Sequence, residues 1–317
     1  MIRSLRPGDL IALAFANPKD PVDVAKPRDR LTDVGTWRLS NAVFIQQWLM
    51  LESSRHTWVW LQQGRVRGLV SVRHRGSPRA WEVDRLLLMD SNAIEEGCIQ
   101  LLDRLSPVGA KSGVCRVFLR LEGRSPLLTA ARQSGFSPFE AEVLYLLEGE
   151  IGNQPELVDW GEVKCRRRLV ADEYSLFQLY NSTSSPKARA AEGLTFAEWR
   201  DSLDTCWAGK GSKEFVFEKE RDVVGWLRVG SNGKLGHIEL MLKPQFQDFS
   251  QKLVWSGLKH LKGTTAITCL APESQSAVCR ALVESGFAEV AKYTNTMKHL
   301  AVRAKQSVFM PARAVRA

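Results

Sequence analysis

Two stretches of the sequence share one pattern, and this pattern decides the fold. The first runs Cys115-Arg-Val-Phe-Leu-Arg-Leu121, continues through a helical segment to Ser134-Gly135-Phe136, and ends in an apolar strand at residues 142–147. The second runs Ala266-Ile-Thr-Cys-Leu270, continues through a helical segment to Ser285-Gly286-Phe287, and ends in a strand through Tyr293 and Met297. A glycine directly after a helix is typical of a left-handed C-cap. The recurrence therefore predicts a duplicated unit of strand, helix and strand.

Length and composition limit the classes of protein that fit. A chain of 317 residues, 44% apolar and 25% charged, has the composition of a soluble globular protein with two domains of ordinary size. No run approaches the roughly 20 apolar residues of a membrane span. The six cysteines are scattered without a Cys-x-x-Cys pair, and the five histidines lack ligand spacing. We interpret the cysteines as buried free thiols of a reducing, cytoplasmic compartment and expect no metal site.

The excess of basic over acidic residues indicates which partners the chain could bind. The formal net charge of +9 favours a polyanion, such as nucleic acid, an acidic protein or a phosphorylated cofactor. Basic residues concentrate at 65–79, 166–168 and 303–316. Each run also fits a solvated strand face or a terminal tail, and no aromatic and basic platform for single strands is evident. Nucleic acid is therefore a possible partner that no motif supports.

The order of predicted elements repeats between the two halves. Each half reads strand, helix, helix, three antiparallel strands, helix, strand, helix, strand, and Gly68-Leu69-Val70 and Gly225-Trp226-Leu227 occupy equivalent places. Residues 17–34 and 181–193 are predicted as polar loops, and residues 92–105 as a helix. We therefore predict an N-terminal domain at 1–150, a linker at 151–162, a C-terminal domain at 163–303 and a basic tail at 304–317.

This order of elements resembles the GNAT N-acetyltransferase fold, used twice. The fold class expected is α/β, with a mixed α+β sheet in two tandem GNAT-like domains. The resemblance implies an acetyl-CoA or other acyl-CoA donor, a small-molecule or protein amine as acceptor, and acceptor binding by the loops 17–34 and 181–193. In the family, a pattern of the type Val-x-Pro-x-x-(Gln/Arg)-x-x-Gly-x-(Gly/Ala) lets backbone N–H groups at a helix N-terminus approach the pyrophosphate.

Each half keeps part of that pattern. The first half keeps Gly97 but has Ile94 at the Gln/Arg place, and Gly97 also fits a packing glycine inside a helix. The second half keeps Leu242, Pro244 and Gln247, and its spacing makes it the favoured half. The cofactor-binding positions that the resemblance implies are, in the second half, Leu240, Leu242, Gln247, Ser250 and Lys252, and in the first half Leu88, Gly97 and Cys98.

The catalytic groups of the family are only partly matched. The tyrosine that often protonates the departing thiolate is replaced by Ala131 and Leu282. The general base is often a carboxylate on the fourth strand. The matching positions are Asp84 and Glu82 in the first half, and Glu239 with His237 in the second. Each of these acidic residues also fits an exposed or ion-paired role on a strand.

Three functions fit the sequence. The first is a tandem GNAT-like N-acyltransferase that transfers an acetyl or other acyl group to a primary amine. The second is an inactive pseudoenzyme that binds a ligand or protein, which the missing tyrosines and the eroded glycine pattern favour. The third is an RNA- or ribosome-associated protein, or a transferase that uses an aminoacyl-tRNA donor, which the basic surface favours.

Overall fold

The fold was obtained as a computed structural model. It describes residues 1–9, 22–31, 55–89, 93–149, 160–203 and 212–301. The predicted helix at 37–51, the linker from 151 to 159 and the basic tail lie outside the described residues. The division into domains at that linker stays a prediction.

Each half contains three consecutive antiparallel strands, followed by a helix and the unit of strand, helix and strand. The strands are β1 (Ile2–Ser4), β2 (Val22–Asp23), β3 (Arg55–Gln62), β4 (Arg65–His74), β5 (Ala80–Leu88), β6 (Arg116–Glu122), β7 (Ser137–Glu148), β8 (Lys164–Arg167), β9 (Lys213–Lys219), β10 (Asp222–Asn232), β11 (Leu235–Leu242), β12 (Ala266–Pro272) and β13 (Ala288–His299). The helices are α1 (Ile94–Lys111), α2 (Leu127–Gln133), α3 (Glu173–Thr183), α4 (Pro186–Glu192), α5 (Phe196–Leu203), α6 (Ser250–Lys259) and α7 (Ser276–Glu284). Short 3-10 helices lie at Arg28–Arg30, Val170–Asp172 and Pro244–Phe249.

All the described strands belong to one mixed sheet that crosses both halves. The order is β1-β3-β4-β5-β6-β13-β7-β12-β11-β10-β9-β8, with β2 paired to β5. The last strands of the two halves are exchanged, because β13 pairs with β6 of the first half and β7 pairs with β12 of the second. The two exchanged strands also pair with each other along their length. The halves are therefore joined by continuous backbone hydrogen bonding.

The duplicated unit predicted from the sequence is confirmed as β6-α2-β7 and β12-α7-β13. Gly135 and Gly286 follow their helices at φ of 81° and 92°, in the left-handed region. The next residue in each unit donates its N–H back to the last turn, Phe136 to Ala131 and Phe287 to Leu282, and both rings are buried. The two C-caps thus seal equivalent ends of the two cores.

Substitution of Gly286 by Ala should lower the free energy of unfolding by about 1 kcal/mol, because a Cβ is disfavoured at this positive φ. Gly230→Ala is the matched control, since a Cβ there would meet no atom closer than 3.7 Å. Urea unfolding of both variants checks the effect. Equal stability of the two variants would contradict the assigned role of the cap.

Each half buries its own apolar core against the sheet. In the first half, Leu101, Leu102 and Leu105 of α1 pack with Trp81 and Phe136. In the second, helices α6 and α7 pack on β10, β11 and β12, and the core includes Leu253, Leu258, Leu282, Leu227 and Ile238. Two glycines occupy equivalent places in the sheet, because Gly68 pairs with Leu88 in the first half and Gly225 pairs with Leu242 in the second.

Two predictions about local structure were wrong, and a third predicted element, a helix, is longer than expected. Residues 181–193 are not a loop, because α4 begins after the N-cap Ser185, whose Oγ accepts from the Ala188 N–H, and ends at Gly193 in the left-handed region. The helix predicted at 92–105 runs from Ile94 to Lys111, with Pro107 inside it. Among the described cysteines, all free thiols, Cys165 is exposed rather than buried.

Candidate functional site

A cavity of about 710 Å³ lies between the two halves. Both predicted acceptor loops contribute to its wall, residues 17–34 through Arg28 and Asp29 and residues 181–193 through Ser184 and Glu192. The wall also includes residues of β4 to β7, of β10 to β13 and of helices α3 and α5. The exchange of β7 and β13 is what brings side chains from both halves to this one space.

Two of the predicted carboxylates, Glu82 and Glu239, line this cavity. Glu82 accepts from Nη2 of Arg73 at 2.8 Å, and Glu239 lies 3.1 Å from Nη2 of Arg28 and 3.6 Å from Nη1 of Arg228. Burial is the largest single effect on the pKa of Glu82 and would raise it, but the charges of Arg73, Arg75 and Arg120 and the hydrogen bonds from Arg73 together hold the pKa below its ordinary value. Glu82 is therefore held as a carboxylate by its arginine partner, and Glu239 is paired to arginines from both halves.

The other two predicted catalytic residues, Asp84 and His237, are buried and contact other side chains. Asp84 lies at a bulge in β5, and its Oδ2 is 3.3 Å from Nε of Arg55 and 3.4 Å from Nη2 of Arg30. The Nδ1 of His237 lies 3.3 Å from Oγ1 of Thr268. Burial lowers the pKa of His237 well below its ordinary value, so the ring is neutral at physiological pH.

Glu140 on β7 is the carboxyl group of the cavity that best fits a general base. Ser185 Oγ and Ser274 Oγ each lie 3.4 Å from its Oε1 and donate to it. Within the described residues, no Lys or Arg nitrogen forms an ion pair with it. Burial, and then the charges of Glu142 and Glu192, raise the pKa of Glu140 to about 7. A base whose pKa lies near the working pH is the most effective proton acceptor.

Glu140 was not predicted from the sequence, because only carboxylates on the strands that are now β5 and β11 were considered. Glu140 lies on the last strand of the first half, and it reaches the cavity because β7 pairs with β12. Glu140 and Glu142 are two residues apart and therefore point to the same face of the strand. Two acidic residues at this spacing before the apolar run 143–147 were the signal available in the sequence.

The ends of β11 and β12 are not paired with each other in the described register, and residues of both ends line the cavity at the opening between them. The two parallel strands pair from Leu235 opposite Ala266 to Ile238 opposite Cys269, and the described register ends there. The Lys243 N–H donates to Val224 on β10, so by alternation the peptide groups of Leu240 and Leu242 face the side of β12. Leu240 also lines the cavity. An extended ligand could reach these peptide groups.

The N-terminus of α6, which follows β11, fits a phosphate group. Ser250 Oγ is buried there and makes no hydrogen bond within the described part of the chain. The first turn of α6 contains no acidic residue, and Lys252 lies in it with its Nζ 4.9 Å from the Phe249 ring centre. Gln247 is exposed in the preceding 3-10 helix. A helix N-terminus with a cation and a hydroxyl suits an anion.

The equivalent place in the first half does not fit a phosphate. Glu95 and Glu96 stand in the first turn of α1, where their charges would repel an anion. A Cβ on Gly97 would meet the Trp60 ring at 2.5 Å, so this glycine permits close packing. Cys98 is fully buried, and burial raises the pKa of its thiol to about 12. The Leu88 side chain is likewise in the core.

Two absences hold for the part of the chain that the structure describes. Among those residues, no group of three or more His, Cys, Asp and Glu side chains is arranged to hold a metal ion. No helix among them is long and apolar enough to cross a membrane.

Solved structures of GNAT proteins and acetyltransferases show the same fold of two linked halves. A tandem GNAT protein from the clavulanic acid biosynthesis pathway is 15% identical, with a TM-score of 0.54 over 96% of this chain and 99% of that chain. A GCN5-related N-acetyltransferase from Sphaerobacter thermophilus is 14% identical, with a TM-score of 0.56 over 94% and 95%. A putative acetyltransferase from Pyrococcus horikoshii is 12% identical, with a TM-score of 0.51 over 96% and 91%.

The chain therefore has the tandem GNAT fold, and the predicted fold class is confirmed. No family model and no curated protein matches the sequence significantly. At these identities the likeness concerns the fold.

Proposed function

We propose that the protein is an N-acyltransferase that moves an acetyl or related acyl group from acyl-CoA to a small primary amine. The observation that carries the proposal is that the opening between β11 and β12 ends in the cavity that contains Glu140. A donor site and an acceptor site would thus meet at one point. The free thiols of the described residues are consistent with a reducing compartment, the cytoplasm.

The donor site proposed here uses the second half. Leu240 and Leu242 would offer peptide groups to the extended arm of the donor, and Ser250, Lys252 and the N-terminus of α6 would hold its pyrophosphate. Gln247 lies at the edge of that site. When bound, acyl-CoA supplies a thioester carbonyl as the electrophile. An N–H of β11 that faces the opening would polarise that carbonyl.

The acceptor site proposed here is the cavity itself. An ammonium group would bind beside Glu140, where three carboxyl groups converge and two of them, Glu142 and Glu192, are already paired with Arg120 and Arg75. The ammonium group would first lose one proton to water, and Glu140 would take the second proton from the amine nitrogen as that nitrogen bonds to the carbonyl carbon and the C–S bond breaks. Ala131 and Leu282 are fully buried and carry no acidic proton, so the departing thiolate would be protonated by water. Glu82 and Glu239 would orient the arginines around the acceptor.

Formation of CoA in the presence of amines tests this function. Acetyl-CoA and longer acyl-CoAs are incubated with the full chain and a panel of amino acids, diamines, arylalkylamines and a lysine peptide. CoA and the acylated product are quantified by mass spectrometry, because the exposed Cys165 would react with a thiol reagent. We expect CoA release that depends on at least one small amine. Binding of acyl-CoA with only background release for every amine would favour the inactive pseudoenzyme.

A further inference from the structure

In the first half, the cleft between β5 and β6 is filled by another segment of the same chain. The parallel strands β5 and β6 pair from Ala80 opposite Arg116 to Glu82 opposite Phe118, and the described register ends there. Residues 22–31, which we call the strap, enter the gap beyond this point. The strap begins as β2, which pairs antiparallel with Leu87 and Leu88 of β5.

The strap hydrogen-bonds on both sides of the gap. The Val24 N–H donates to the carbonyl of Leu86 at 3.0 Å, and the Leu86 N–H donates to Oδ1 of Asp23 at 3.1 Å. On the other side, the Lys26 N–H donates to the carbonyl of Arg120 on β6 at 3.0 Å. The N–H and the carbonyl of Leu86, which both face the cleft, are therefore hydrogen-bonded to the strap.

Leu86 is the first-half counterpart of Leu240. Leu88 pairs with Gly68 and Leu242 pairs with Gly225, and two residues earlier Leu86 and Leu240 stand at equivalent registers. The backbone groups of Leu240 face the opening in the second half. The equivalent backbone groups of Leu86 in the first half are hydrogen-bonded to the strap. The two clefts differ because one contains an internal strand.

The strap is anchored firmly. Ala25 is completely buried, and Asp23 lies 3.1 Å from Nη1 of Arg30. Asp29 accepts from Nη1 and Nη2 of Arg73 at 2.7 Å and 2.9 Å. At its far end, Leu31 is buried in an apolar cluster that includes Leu270 and Tyr293 of the second half. Displacement of the strap would expose these charges and disrupt the cavity wall.

We infer that the first half is closed to acyl-CoA by the strap and that each chain has a single donor site, in the second half. This inference rests on the proposed function, because a donor site requires a transferase. The strap acts as the built-in occupant of the first cleft, and the first half serves to complete the acceptor cavity.

Hydrogen exchange on the full chain, with and without acetyl-CoA, tests the inference. Without ligand, amides in peptides covering 22–31 should exchange at least about tenfold more slowly than an unstructured chain, since Val24 and Lys26 donate to the sheet. With acetyl-CoA, residues 235–259 should gain protection, while 80–111 and the strap should not change. Fast exchange of the strap, or protection of 80–111 together with faster exchange of the strap, would overturn the inference.

The two proposals fail in distinguishable ways. If acetyl-CoA changes exchange nowhere, the proposed function fails, while protection of the strap in the unliganded protein still decides whether the first cleft is filled. Asp23→Ala removes the acceptor of the Leu86 N–H and the partner of Arg30, so it should speed exchange at 22–26. Asp201→Ala is the matched control, because the described ion pair of Asp201 is with the adjacent Arg200. Equal exchange in the two variants would contradict the assigned anchoring.

Discussion

Replacement of Glu140 by Gln is expected to lower kcat for acyl transfer by about 10²- to 10⁴-fold, the usual contribution of a positioned general base. The amide keeps the size of the side chain and can still accept from Ser185 and Ser274, so the fold should be retained. Burial and the neighbouring carboxylates raise the pKa of Glu140 to about 7. Activity of the parent protein should therefore rise as the pH rises through about 7, when the carboxyl group loses its proton, and the variant should lose this inflection.

The control for this experiment is Glu284→Gln, which removes an exposed carboxylate at the end of α7. It should leave both kcat and the pH profile unchanged. Retention of the inflection near pH 7 in Glu140→Gln would show that another group, or the acceptor amine alone, sets the profile. A fall in activity by less than threefold would remove Glu140 as the base.

The same pKa has a consequence for stability that does not depend on activity. A carboxyl group whose pKa is raised in the folded state stabilises the protein below its unfolded pKa, and this contribution is lost as the pH rises to about 7. Glu140→Gln should therefore be more stable than the parent at pH 8, by roughly 1 to 3 kcal/mol, and similar to it at pH 4. Urea unfolding at the two pH values measures the difference.

Arg120→Ala is expected to lower the free energy of unfolding by about 3 to 5 kcal/mol, because it leaves a buried carboxylate without its cation. Arg120 donates from Nη2 to Glu142 and from Nε to Asn295, each at 2.7 Å, and Asn295 donates to the same carboxylate oxygen of Glu142. The three residues are buried on β6, β7 and β13. The network therefore links the two exchanged strands, β7 and β13, to β6.

A double variant separates the charge from the packing. Arg120→Met combined with Glu142→Leu removes both charges and keeps apolar volume, so it should recover much of the stability that Arg120→Ala loses. Chemical unfolding of the three proteins gives the comparison. A loss below 1 kcal/mol for Arg120→Ala would contradict the role assigned to the network.

The elements that local sequence determines were predictable, and the contacts between the halves were not. The helix ends at Gly135 and Gly286 follow from the need for a residue without Cβ at positive φ, so the duplicated unit could be read directly. The exchange of β7 and β13 depends on pairing between residues far apart in the chain, as between Tyr293 and Glu122. Strands that pair within a half and strands that pair across halves have the same pattern.

The site residues show the same division. Glu82 and Glu239 could be chosen because they lie on the fourth strands, and both line the cavity. Glu140 could not be chosen by that rule, because its position follows from the strand exchange. The strap at 22–31 was predicted only as a polar loop, since Val22 and Asp23 become a strand by filling a gap that no local pattern reveals.

The most direct measurement of the donor site is calorimetric titration of the full chain with acetyl-CoA, repeated on Lys252→Glu and Gln100→Glu. Lys252 stands at the N-terminus of α6, and Gln100 lines a pocket at the N-terminal turns of α1, the equivalent helix of the first half, so each variant introduces a negative charge in one half. We predict one acetyl-CoA per chain, bound about tenfold or more weakly by Lys252→Glu and equally well by Gln100→Glu. Absence of binding, two sites per chain, or weaker binding in Gln100→Glu alone would contradict a donor site in the second half.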